Sequence, residues 1–296
     1  MNLYRTDYYK IMSCGGTAMK ILRVIIVTVA ICLILFPPAV ADSGDYEHKI
    51  VNYVALGDSI AKGYGLEDVD AESYVGRIAQ ALEDQYGAVR LTNFGKNGLR
   101  SEQLLDILTN EDNEQYDDYR LQLQKADLVT LSIGSNDLLQ YLSTDTDFKQ
   151  FKQNGDEILS GACERFGENL PQIIDAIHAQ APQAQLFVNN IYNPCNDSSF
   201  NIPEKFVQNL DTMAEKYIEK MNNGFVSERV QSVFKSGNTG GTYTLVDVKG
   251  AFEETDERLI NMVFSWGNID PHPNREGHRI IADQIISKIC LGKKDK

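Results

Sequence analysis

Two polar motifs lie more than two hundred residues apart and together hold the side-chain types that nucleophilic hydrolysis needs. An apolar run ends in Gly57-Asp58-Ser59, and Asp270-Pro271-His272-Pro273-Asn274 stands near the far end of the chain. A serine hydroxyl attacks a carbonyl only when a base takes its proton. The base in turn works best when a carboxylate fixes its tautomer and orientation. Ser59, His272 and Asp270 are therefore the candidate nucleophile, base and orienting acid.

Positioning them requires elements that end at one place. The chain alternates short apolar runs with longer amphipathic ones, the pattern of parallel strands joined by crossover helices. Strands are expected at Val51–Leu56, Val89–Phe94, Leu128–Ile133, Leu186–Ile191 and Tyr243–Val248. Helices are expected at Ser73–Tyr86, Ser101–Leu108 with Ser101 as N-cap, Leu170–Gln180, Lys205–Met221 and Arg275–Ile289. Asp145–Gly155 reads as a polar, irregular insertion, and Ser236–Thr242 as a loop. The expected fold is an α/β three-layer α/β/α sandwich around a five-stranded, mostly parallel sheet.

On that map Gly57-Asp58-Ser59 follows the first strand, Asn93–Gly98 the second, and Gly134-Ser135-Asn136-Asp137 the third. Parallel sheets bind ligands beyond the carboxyl ends of their strands, so three stations share one edge. Each also has an ordinary structural use. Gly-Asp-Ser makes turns, Asn136 or Asp137 can cap a helix, and Asn274 can cap the last one. Asp58 reads as a turn acceptor rather than a second acid. His48 and His178 read as solvated or packing residues, and Asn189, Asn190 and Tyr192 as candidates to line a pocket.

The ordered set resembles the SGNH (GDSL-type) hydrolases over about Val51 to Ile289, and among them the secreted bacterial lipase/acylhydrolase branch. That resemblance implies a flavodoxin-like fold, Ser59 as nucleophile, His272 as general base and Asp270 as its acid. It also implies an oxyanion hole from the backbone N–H groups of Ser59 and Gly98 and the side-chain amide of Asn136. Gly95 competes with Gly98 for that role, and the spacing from Asn93 favours Gly98. Asp270 stands two residues before His272, where many family members have three, and position 269 is Ile. If Asp270 points away, a backbone carbonyl is left to orient His272. No metal or cofactor is implied.

Composition narrows the partners. Lys20 and Arg23 precede an apolar stretch from Val24 to Phe36, followed by Ala39-Val40-Ala41. This pattern predicts a signal peptide over residues 1–41, with initiation at Met19 and an uncleaved anchor as alternatives, and a hydrolase domain over 42–296. The domain then carries 24 Lys+Arg against 41 Asp+Glu, a net charge of −17. Such a surface disfavours nucleic acid and anionic lipid, and suits an exported protein without stable membrane insertion. Of five cysteines, Cys163, Cys195 and Cys290 lie in the domain, with Cys163–Cys195 the first disulfide to test.

The leading expectation is a secreted serine esterase that cleaves carboxylic esters of the lipase, lysophospholipase or short-chain type through an acyl-enzyme on Ser59. Two alternatives stand beside it. One is a metal-dependent hydrolase using Asp270, His272 and His278; the other is a non-catalytic binding protein on the same fold.

Overall fold

The computed structural model describes residues 50–142, 145–194, 204–228, 230, 243–261 and 270–291. Its elements are β1 (Val51–Gly57), α1 (Ser59–Lys62), α2 (Val69–Glu72), α3 (Tyr74–Tyr86), β2 (Val89–Asn93), α4 (Ser101–Thr109) and α5 (Tyr116–Leu123). They continue with β3 (Leu128–Ser132), α6 (Ser135–Leu139), α7 (Asp145–Gln180), β4 (Gln185–Asn189) and α8 (Glu204–Phe225). β5 (Tyr243–Val246), α9 (Val248–Glu253) and α10 (Arg275–Ile286) complete the order.

The five strands form one sheet in the order β2-β1-β3-β4-β5. Every neighbouring pair is parallel, which is the flavodoxin-like arrangement. Side chains alternate across it. Val54, Leu56, Val129, Leu131, Leu186 and Val188 pack on one face with side chains of α4, α5, α7 and α8. Tyr53, Ala55, Leu128 and Phe187 point the other way, against Ile78 and Leu82 of α3 and Ile281 and Ile285 of α10. The two separate apolar cores make three layers. β3 is buried at all five positions, whereas the edge strand β2 is largely open, as its place in the order requires.

Several expected boundaries move for local reasons. Ser73 is the N-cap of α3, with its Oγ accepting from Gly76 N–H. Ser101 is not a cap: it is the first helical residue of α4, and Arg100 precedes it with Gln103 accepting from the Arg100 N–H. β5 stops at Val246 because Asp247 turns and caps α9. Asp145–Gly155 is not an irregular insertion but the start of α7, whose backbone leaves helical geometry only at Asn154. Lys, Gln and Asp are tolerated in helices but carry no apolar period to announce one. The Ser236–Thr242 loop, the predicted leader, His48 and Cys195 lie outside the described residues. The Cys163–Cys195 pairing therefore does too; Cys163 itself is a buried thiol facing the Tyr217 carbonyl. Among the described residues, no helix is long and apolar enough to cross a membrane.

The register sets up the site. Gly57 pairs with Ser132, and Ala55 with Asn93, so β1, β2 and β3 end side by side. Their three following loops open on one edge of the sheet.

Candidate active site

Ser59 is the first residue of α1, directly after the sharp exit from β1. Gly57 makes that exit with φ +137°, and a Cβ there would meet the Ser132 carbonyl at 2.0 Å. Only glycine fits. Asp58 then caps the helix: its Oδ1 accepts from Ile60 N–H at 2.9 Å, and its own N–H reaches the Ser132 carbonyl at 3.0 Å. Asp58 is thus the turn acceptor that its position suggested. The cap leaves the Ser59 N–H at a helix start, where no intrahelical acceptor exists.

His272 arrives from the opposite end of the chain. Its Nε2 is 2.7 Å from Ser59 Oγ, and its Nδ1 is 2.6 Å from Asp270 Oδ1. The two-residue spacing works because Asp270 Oδ1 also accepts the His272 backbone N–H at 3.1 Å. One carboxylate oxygen therefore fixes both the chain and the ring. The loop is tied down on other sides as well. Tyr192 donates its hydroxyl to the Pro271 carbonyl at 2.7 Å, and Asn261 N–H reaches the His272 carbonyl at 2.9 Å. Asn274 caps α10 through the N–H groups of Glu276 and Gly277, so its capping use is real and begins two residues past the histidine.

The oxyanion candidates separate cleanly. A Cβ on Gly95 would meet Lys62 N at 2.3 Å, and the Gly95 N–H is held by Asn93 Oδ1 at 2.8 Å. Gly95 is a packing glycine against α1. Gly98 has φ +74° and open space where a Cβ would stand. Among the described residues its N–H donates to no protein group. The half-buried Asn136 spends one amide hydrogen on the Leu99 carbonyl at 3.2 Å, leaving the second free to point elsewhere. Asp137, next to it, accepts from both N–H and Oγ of Ser101, at 3.0 and 2.5 Å. These bonds tie the loop after β3 to the loop after β2. A hydroxyl beside a base, with backbone and amide donors on adjoining loops, can attack a carbonyl and hold the charge that develops.

The metal-binding alternative is not assembled. His278 is fully buried and its Nδ1 accepts from Tyr74 N–H at 3.2 Å. Among the described residues, no three His, Cys, Asp or Glu side chains converge as a metal site would require.

Comparisons with known proteins identify the family. The family model of the GDSL-like lipase/acylhydrolases matches residues 55–280. The chain belongs to that family. A spore germination lipase, LipC of Bacillus licheniformis, is 27% identical over 167 residues, covering 54% of this chain and 72% of that one. An uncharacterized protein of Mycoplasma pneumoniae is 26% identical over 142 residues, covering 47% of this chain but only 13% of its own length. The crystal structure of the lipase Lip_vut3 from a goat rumen metagenome superimposes with a TM-score of 0.56 at 20% identity, over 80% of this chain and 96% of that one. At that identity the likeness speaks to the fold.

Within this GDSL-like site, two buried groups carry shifted protonation. Burial pushes the Asp58 carboxyl up to about 7, with Asp137 adding to the rise and the Ile60 N–H pulling against it. Burial also holds the His278 imidazole down at about 3, helped by the charges of His272 and Arg77. The two act oppositely on stability. A carboxyl raised in the fold stabilises most at low pH, and loses that contribution as pH climbs from about 4 to about 7. A histidine kept neutral in the fold costs stability as pH drops from 6.5 toward 3. Asp58→Asn, which keeps the acceptor for Ile60 N–H, removes only the first of these pH dependences. Its unfolding free energy relative to the parent is expected to rise by about 4 kcal/mol between pH 4 and pH 8 in urea titrations. A difference that stays flat with pH would contradict the shifted carboxyl.

Several residues of the site gave little sign of themselves in the chain. His178, which is not among the site residues, is a buried packing residue; Asn189, Asn190 and Tyr192 do line a small cavity at the end of β4, and Asn190 also bonds Asp247 and Lys249 N–H at the β5–α9 turn. Tyr192 does not simply line a pocket but anchors the histidine loop. Tyr64, whose ring stands 4.5 Å from that of His272, was not anticipated. An aromatic between two glycines was its one local signal.

Proposed function

We propose that this protein is a serine-dependent carboxylic ester hydrolase of the lipase/acylhydrolase type, acting on lipid, lysophospholipid or short-chain esters. Its catalytic residues are Ser59, His272 and Asp270, and its oxyanion donors are Ser59 N–H, Gly98 N–H and the Asn136 amide. The observation that carries this reading is the continuous hydrogen-bonded chain Ser59 Oγ, His272 Nε2, His272 Nδ1, Asp270 Oδ1, with links of 2.7 and 2.6 Å. LipC, named as a lipase, supports the same chemistry.

In this reaction Ser59 Oγ bonds to the ester carbonyl carbon while its proton passes to His272 Nε2. The carbonyl oxygen gathers charge against the three donors. The carbon–oxygen bond to the alcohol breaks as His272 returns the proton to the departing oxygen, leaving an acyl-serine. Water, with His272 again as base, releases the acid and restores the serine. Asp270 keeps Nδ1 protonated and stabilises the imidazolium that forms. The basic-then-apolar start and the acidic domain support an exported enzyme, with residues 1–41 as the signal peptide and 42–296 as the working domain.

A fluorophosphonate probe tests the nucleophile. It is expected to label the protein stoichiometrically, to stop ester turnover, and to place the adduct mass on the peptide containing Ser59. Turnover that survives complete labelling, or an adduct on another residue, would overturn the assignment.

A further inference from the structure

The loop after α1 runs Gly63-Tyr64-Gly65, and the two glycines have φ of +77° and +86°. Tyr64 N–H reaches back to the Ser59 carbonyl at 3.0 Å, closing the turn on the helix that bears the serine. A Cβ on Gly65 would lie 3.2 Å from Asn261 Nδ2 and 3.8 Å from Asp270 Oδ2, so the loop passes directly over the acid–histidine pair. The Tyr64 ring sits 4.5 Å from the His272 ring, tilted by 44°. Yet it remains 47% exposed, among the most exposed large apolar side chains described. A big aromatic is thus held open to solvent beside the imidazole by a backbone that only glycine adopts freely.

Reaction geometry gives that position a use. The carbonyl oxygen of the ester must face Gly98 and Asn136. The departing oxygen must come within about 3 Å of His272 Nε2, because His272 returns the proton to it. The carbons of the alcohol therefore begin beside the imidazole, where Tyr64 is the neighbouring wall, and the acyl chain leaves in another direction. On the serine-hydrolase reading above, we propose that Tyr64 is the specificity-determining residue for the leaving alcohol. It favours alcohols that present a ring to its face, either the flat face of an aryl group or the C–H face of a pyranose. Stacking of this kind supplies about 0.5–1.5 kcal/mol beyond simple burial.

Three acetate esters test this: 4-nitrophenyl acetate, an acetylated pyranoside and ethyl acetate, each with the parent enzyme, Tyr64→Ala and Tyr64→Phe. Tyr64→Ala is expected to lower kcat/KM about 5- to 10-fold for the ring-bearing alcohols and less than twofold for ethyl acetate. Tyr64→Phe is expected to keep the parent preference. All three esters pass through the same acetyl-serine, from which the alcohol has gone. Its hydrolysis, read from the steady rate after the burst, is expected to be unchanged in Tyr64→Ala. A loss for only one of the two ring classes names the ring that the wall prefers. An equal loss for all three esters, a slower release of the acetyl group, or no loss for either ring overturns the proposal. The Ser59→Ala control separates this from the reading beneath it. Turnover that survives in Ser59→Ala refutes the serine mechanism itself, whereas Ser59-dependent turnover with a Tyr64 effect blind to the alcohol refutes only the wall.

Discussion

Replacing Ser59 by alanine is expected to lower kcat for ester hydrolysis by about 10⁶-fold, leaving a residue of about 10³-fold over water from the oxyanion donors and binding alone. The fold should survive the change. Among the described residues Ser59 Oγ makes one side-chain hydrogen bond, to His272, and the cap that forms α1 belongs to Asp58. Losing a single hydrogen bond costs about 1 kcal/mol, so urea unfolding of the variant should fall close to that of the parent. Steady-state kinetics on purified protein with matching unfolding curves checks both halves. Ester turnover at the parent rate in a folded Ser59→Ala protein would remove the serine mechanism.

The second large effect is expected at Asp270. Asp270→Asn should reduce kcat by about 10⁴-fold with little change in KM, because the group acts on the tautomer of His272 and not on substrate. Because Oδ1 alone serves both the His272 backbone N–H and Nδ1, an asparagine can put either its oxygen or its nitrogen there. Oxygen keeps both bonds but brings no charge to stabilise the imidazolium, whereas nitrogen faces Nδ1 as a donor, drives the ring proton to Nε2 and gives up the backbone bond. Among the described residues, the two carbonyls of this loop are already engaged and poorly placed to stand in for the lost carboxylate. Pro271 O already accepts from Tyr192, and His272 O from Asn261. Asp270→Ala should therefore be severe as well. A variant with either substitution that keeps more than a tenth of parent kcat would show that His272 is oriented by some other group.

Much of this was legible before any coordinates. β3 announces itself because a strand buried on both faces is dominated by apolar residues, and in Leu128–Ser132 only the small hydroxyls of Thr130 and Ser132 interrupt them. Asn274 and Ser73 announce helix starts because a side-chain oxygen is the local answer to an unsatisfied N–H. Signals of this sort are written in the few residues around them. Ser101 failed the same test for an instructive reason. Its hydroxyl was claimed by Asp137, thirty-six residues away in the chain, and a distant partner leaves no local trace.

The choice between Gly95 and Gly98 shows where that limit falls. Both are glycines of one loop, and spacing alone only favoured the second. What separates them is contact. One is pressed against the backbone of α1 with its N–H occupied, while the other faces open space. The protonation of Asp58 follows the same rule, since its shift comes from burial between layers that meet only in the folded state.

By itself, then, the chain determined the alternation that makes a parallel α/β sheet, the strand ends that gather its polar loops, and the residue types able to attack and stabilise a carbonyl. Periodicity, turn chemistry and side-chain reactivity are local properties, and they survive in a linear text. Only the tertiary structure decided that His272 reaches Ser59 across 213 residues, that the Asp270 carboxylate meets the His272 ring at a two-residue spacing, and that Tyr64 stands open beside the imidazole. Each of these depends on a distance between segments remote in the chain, which is set by packing and not by neighbours.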